Sequence, residues 1–214
     1  MNTFSVRSTL LVIAAAAIAL SVTPISASAA TRGAACRHAS GTTLAQNKAY
    51  RIYTTTQVRS AKMETSTLRL YSCRLDSKKL KRFRFGTWKN DLDAMVYANE
   101  AQIAGRYALI DLNTTTGVTD TEWLMAINLK TGKRFVIDPP DDQGIGDKFI
   151  TTAGGVLWVY NPGAVTRTLH ATDSTGDHVV ATGDFSESAA GGNTAYWTQS
   201  AATHGFTFSG PAVK

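Results

Sequence analysis

Apolar and polar positions alternate along most of the chain after residue 30. The clearest stretch is Gly105-Arg106-Tyr107-Ala108-Leu109-Ile110-Asp111-Leu112, followed by a second run from Glu122 to Leu129. A Lys130-Thr131-Gly132-Lys133 turn leads into a third run, Arg134 to Asp138. β-Branched and aromatic residues fill these runs, while Gly, Thr, Asn and Asp separate them, the signature of strands joined by tight turns. The same reading predicts strands at Ala49–Thr54, Thr67–Leu75, Leu80–Phe85 and Ala94–Ala98 in the first half. Further on it predicts Lys148–Thr152, Gly154–Tyr160, Thr166–Ala171, His178–Ala181, Ala195–Thr198 and Gly205–Phe208. No sustained 3.6-residue apolar period follows residue 30, so the expectation is a single all-β domain.

These strands fall into units. Unit starts at Asn47, Gly105, Gly155 and Gly192 are separated by 58, 50 and 37 residues. Turns at Lys79, Gly132 and Gly176 are separated by 53 and 44. Propeller blades repeat on this scale, and small sheets of this kind bury both faces by packing radially. The predicted fold is a small or incomplete β-propeller of about four blade-like antiparallel sheets. The alternative is a β-sandwich or meander.

Two pieces carry a resemblance: Gly105 to Leu112 with Asn128 to Val136, and Gly155 to Tyr160 with Thr172 to Val180. Each shows Gly, alternating apolar residues, and then a turn ending in Thr-Gly, Lys130-Thr131-Gly132 in one and Asp173-Ser174-Thr175-Gly176 in the other. This pattern resembles the exported bacterial β-propeller repeats, TolB-like and WD40-like, over residues 47–208. The Gly-His and Trp-Asp signatures of WD40 blades are absent, and the last unit reads as two strands only. The resemblance implies a binding scaffold and carries no particular activity. A ring closed by two chains, or a last blade completed by the arm at 39–46, are further expectations.

The start of the chain reads differently. Arg7 precedes an apolar run of 13 residues, Leu10 to Val22, then Pro24 and the small-residue site Ala27-Ser28-Ala29. That is the anatomy of a signal peptide over residues 1–30, and the run is short for a membrane span. A polar arm, 31–46, precedes the propeller-like domain at 47–214. The implied location is secreted, or periplasmic at the cell envelope, with no membrane span after cleavage. Cys36 and Cys73 are the only cysteines, and export predicts a disulfide between them.

Charge is split between the two halves. Residues 31–90 carry 14 Lys and Arg against Glu64 and Asp76, a net +12, whereas 91–214 carry a net −7. Within the basic half, Lys78, Lys79, Lys81, Arg82 and Arg84 are interleaved with Leu80, Phe83 and Phe85. On a strand, Arg82 and Arg84 share a face, which makes this run the candidate anion-binding surface. The bland account is a charged outer strand that discourages edge-to-edge aggregation.

Catalytic motifs are missing. There is no Gly-x-Ser-x-Gly elbow, and neither the four histidines nor the cysteines fall at zinc spacing. No catalytic residue is assigned. Asp138, Asp141, Asp142 and Asp147 share one Pro/Gly loop and form a candidate calcium site, calcium being the cofactor that hard carboxylate oxygens suit. One tryptophan per unit (Trp88, Trp123, Trp158 and Trp197) is read as core packing between sheets. The functional expectation is an exported non-enzymatic binding or scaffold module. Its partner would be an envelope or extracellular protein or an anionic polymer, and not nucleic acid. The alternative is an extracellular hydrolase or lyase acting on an anionic polysaccharide or phosphoester.

Overall fold

The computed structural model describes residues 36, 41–60, 65–75, 82–91, 93–139, 144–163 and 166–213. The described residues contain strands and no helix, in four antiparallel sheets, each built from strands consecutive in sequence. The first sheet runs β1 (Gly41–Gln46), β2 (Tyr50–Ser60), β3 (Thr65–Arg74) and β4 (Arg82–Asn90). The second runs β5 (Ala94–Ala104), β6 (Tyr107–Thr116), β7 (Thr119–Asn128) and β8 (Arg134–Ile137). The third holds β9 (Ile145–Ile150), β10 (Val156–Tyr160), β11 (Thr168–Asp173) and β12 (Gly176–Thr182). The fourth holds β13 (Ser186–Gly191), β14 (Thr194–Gln199) and β15 (Ala202–Thr207).

The irregular period has a structural meaning. Asn47, Gly105, Gly155 and Gly192 each lie in the hairpin between the first and second strands of a sheet. Gly105 and Gly192 both sit at φ 61°, a left-handed conformation that a residue without Cβ adopts freely. At the first hairpin the Asn47 carboxamide oxygen accepts the amides of Ala49 and Tyr50, both at 2.8 Å, so the side chain closes the turn. Its Nδ2 then donates to the Gly105 carbonyl at 3.1 Å, joining the first hairpins of neighbouring sheets. Gly132 and Gly176 belong to the turns between third and fourth strands. Lys79 lies outside the described residues.

Two expectations are corrected. Gly41–Gln46, read as part of an arm, is a strand paired with β2, so it completes the first sheet and not the last. The fourth sheet has three strands where two were expected. β13 went unseen because Ser-Glu-Ser-Ala-Ala-Gly has no apolar alternation.

Packing explains why the middle strands read as nearly continuous apolar runs. Alternate residues of β6 enter two different cores. Ala108, Ile110 and Leu112 pack with Tyr50, Ile52, Leu68 and Leu70 of the first sheet. Tyr107 and Leu109 pack with Ile150, Val156 and Trp158 of the third. A third core joins Leu157, Val159 and Leu169 to Ala195 and Trp197 of the fourth sheet and to Phe208 just after it. The four sheets therefore stack in chain order, and among the described residues no core joins the fourth sheet to the first. Each fully buried Leu or Ile contributes roughly 1.5–3 kcal/mol, and these seams hold the stack together.

The described residues are fastened near both of their ends. The Cys36–Cys73 disulfide forms, with the Cα atoms 5.8 Å apart. Beside it the buried Arg51 donates to the Cys36 carbonyl and the Thr43 hydroxyl, both at 2.8 Å, and to the Gly41 carbonyl at 3.3 Å. At the other end, residues after β15 turn back across the third sheet. Ala212 donates its amide to the Gly154 carbonyl at 2.9 Å, and Ala212 and Val213 enter the core between the second and third sheets.

Candidate anion-binding surface

Strand β4 alternates as its sequence suggests. Arg82, Arg84, Thr87 and Lys89 are exposed, while Phe85 is buried and Phe83 and Trp88 pack against the core. A bulge at Phe85 lets Arg84 pair with Tyr71 while Gly86 pairs with Leu70, so Arg84 and Thr87 stay on the same face. Cross-strand pairing then places Arg51, Arg69, Arg82, Arg84 and Lys89 together on the outward face of the first sheet. Strands β1 to β4 contain no Asp or Glu at all.

Tyr53 and Tyr71 form the floor of this face. Their rings stack at 5.4 Å, and the guanidinium of Arg82 lies 4.6 Å from the Tyr71 ring centre. That cation–π contact orients Arg82 without neutralising it. Arg51 is different, since it is buried and its N–H groups are committed to Cys36, Thr43 and Gly41. No carboxylate among the described residues pairs with Arg69, Arg82, Arg84 or Lys89.

A groove of about 440 Å³ opens between β4 and the second sheet, lined by Arg84, Thr87, Trp88, Gly132 and Arg134 among others. Arg134, on β8, donates to the Phe85 carbonyl and so bridges the two sheets. Gly86 makes room for the Trp88 ring in this lining, because a Cβ there would fall 2.0 Å from that ring. Two guanidiniums, a hydroxyl and an indole converge with no acid among them, which suits phosphate, sulfate or carboxylate oxygens. The sequence drew attention to Arg84 but not to Arg134, which only the packing of the two sheets brings beside it.

The other predicted residues are scattered. Lys78, Lys79, Lys81, Asp141 and Asp142 lie outside the described residues. Asp138 is exposed after β8 and Asp147 is exposed on β9, and among the described residues no three His, Cys, Asp or Glu groups gather as metal ligands. The tryptophans are core residues as expected. Trp158 and Trp197 are buried, and Trp88 meets Trp123 edge-on at 6.1 Å within the first core.

Two polar clusters escaped the sequence. On the third sheet, His170 Nδ1 lies 2.6 Å from Asp177 and its Nε2 lies 2.9 Å from the Thr168 hydroxyl. Thr172 donates to Asp177 at 2.6 Å, Trp158 Nε1 donates to Thr172 at 3.1 Å, and the His170 ring stacks on Trp158 at 4.3 Å. Burial would raise the Asp177 pKa, but the hydrogen bonds from His170 and Thr172 and the charge of His170 prevail and hold it below the usual carboxylate value. The second cluster surrounds Lys148 on β9, whose Nζ meets Asp111 and Glu122. No sequence motif marks either one, because their members come from different strands.

The chain matches no protein-family model, no curated protein and no solved structure.

Proposed function

We propose that this chain is an exported binding module whose blade-like sheets present a cationic face to an anionic polymer. The observation that carries the reading is the first sheet, whose strands hold Arg69, Arg82, Arg84 and Lys89 on one face, beside the buried Arg51, and not one acid. The Arg84–Arg134 groove beside it supplies an anchoring point for single anionic groups. Most surfaces intersperse charges of both signs, and a one-sign field of this kind draws in a polyanion from beyond the contact distance. The signal-like segment and the disulfide support export. The meander of each sheet and the contact between the first strands of neighbouring sheets support an incomplete propeller. A ring closed by two chains predicts a dimer by light scattering.

Binding to an acidic polysaccharide, to polyphosphate and to neutral dextran, at roughly 0.05 M and 0.5 M NaCl, tests the proposal. The expected result is binding to the anionic polymers that weakens with salt and falls about tenfold or more in the Arg84→Glu/Arg134→Glu double variant. Equal retention by dextran, or binding unmoved by that variant, overturns it.

A second reading, a hydrolase acting on an ester or phosphoester, is favoured by one observation. Thr168, His170 and Asp177 follow the order hydroxyl, imidazole, carboxylate, the order that activates a hydroxyl nucleophile in triad enzymes. His170 Nε2 would take the Thr168 proton as the oxygen attacks, then return it to the leaving alcohol. Turnover of a nitrophenyl ester by the native chain that disappears in His170→Ala supports this reading. Its absence assigns the relay to holding strands together.

A further inference from the structure

The seam between the second and third sheets carries negative charge that its own residues do not balance. Lys148 Nζ lies 2.7 Å from Asp111, 3.3 Å from Glu122 and 3.8 Å from Glu100, so three carboxylates surround one ammonium. Gln102 fixes the strand bearing that lysine by donating to its carbonyl at 2.8 Å. Burial pushes the Lys148 pKa down, yet Asp111 and Glu122 outweigh it and raise the value above 10.5, as a site whose field favours cations should.

An independent feature lies on the same face. Asp111 is only 5% exposed, and while its Oδ2 meets Lys148, its Oδ1 is buried without a hydrogen-bond donor. Asn113, two residues along β6, likewise has a buried Oδ1 without a donor. Both project from the side of β6 that carries Tyr107 and Leu109 into this seam. Unpartnered buried acceptors are uncommon and costly, and a carboxylate oxygen most of all. Register places Tyr97 opposite Asn113 and Met95 opposite Thr115, and both side chains are well exposed, at 43% and 37%. Asn113 thus lies directly across the strand pair from an exposed aromatic ring, and Asp111 follows it two residues away on the same face of β6.

We propose that this seam binds an alkylammonium or guanidinium group, its N–H donors directed to Asp111 Oδ1 and Asn113 Oδ1 and its face lying along Tyr97. Water supplies donors too, but it leaves the excess charge in place, whereas a cation satisfies the acceptors and the charge together. The ligand class is opposite in sign to the polymer assigned to the first sheet, so the two sites are independent.

A direct test titrates the full chain with Nα-acetyl-lysinamide, with Nα-acetyl-argininamide, and with Nα,Nε-diacetyl-lysinamide as the neutral control, read by chemical-shift changes. Saturable binding of either charged probe and not of the neutral one is expected, with the lysine and arginine arms telling ammonium from guanidinium. Asn113→Leu should weaken it about tenfold and Tyr97→Ala, on an exposed rim, several-fold. Native anion-polymer binding by both variants verifies that they fold. Equal shifts with the neutral probe, no saturable binding of either charged probe, or affinity unchanged in both variants overturns the proposal and leaves water as the occupant.

Discussion

The Asp173 carboxylate accepts the backbone amide of Ser209 at 2.7 Å, tying the chain end to the turn that follows β11. Its other oxygen accepts the Thr175 amide at 2.7 Å, and the side chain is fully buried. Burial would raise the Asp173 pKa, but the bonds from Thr175, Ser209 and His178 hold it below 3.8. The stability this contributes is present above that value and is lost as pH falls through the lower folded one. Asp173→Ala should cost about 1–3 kcal/mol and release Ala212 and Val213 from their core. Denaturant midpoints at neutral and acid pH check both statements, since the variant should differ less from the native chain at low pH.

The Cys36–Cys73 bridge closes a separation of 37 residues, for which chain entropy gives about 4 kcal/mol as an upper figure. Cys36→Ser/Cys73→Ser should lower the unfolding free energy extrapolated from denaturant titration by up to that amount. Reductant should then destabilise the native chain and leave the double variant unmoved.

Gly86→Ala should force the Trp88 ring away, because the added Cβ would meet it at 2.0 Å. The expected cost is about 1–3 kcal/mol from overpacking, together with a change in tryptophan fluorescence as the contact with Trp123 opens. Anionic-polymer binding should fall in the same variant as the groove closes.

Lys148 sets the alkaline side. Because its folded pKa is raised above 10.5, its contribution is complete below that value and lost as pH rises through the folded one. Lys148→Met should destabilise the chain by roughly 3 kcal/mol at neutral pH by stranding Asp111 and Glu122. It should also reduce the fall in stability measured on the way to alkaline unfolding.

Much of the architecture is legible in the sequence alone. Strands such as Tyr107–Thr116 and Thr119–Asn128 announce themselves through β-branched residues and alternation, and Gly105 and Gly132 mark turns where a left-handed φ is required. Gly41–Gln46 and Ser186–Gly191 did not, since small and polar residues form strands there only because a neighbouring strand offers its edge. The candidate site was half legible: Arg82 and Arg84 follow from alternation within one strand, whereas Arg134 reaches the groove from another sheet.

The chain by itself determined whatever depends on near neighbours or on simple counting. Strand periodicity, hairpin turns, the split of charge between halves and the pairing of two cysteines are all of that kind. Tertiary structure decided which strands stack on which, and with it every cluster of chemical interest. Lys148 with Asp111 and Glu122, Arg84 with Arg134, and Asp173 with Ser209 are each brought together by apolar seams or by a returning chain end. The physical reason is that backbone pairing has a short, regular period that sequence displays. Contact between stacked sheets depends on how whole faces fit, and no local spacing encodes that.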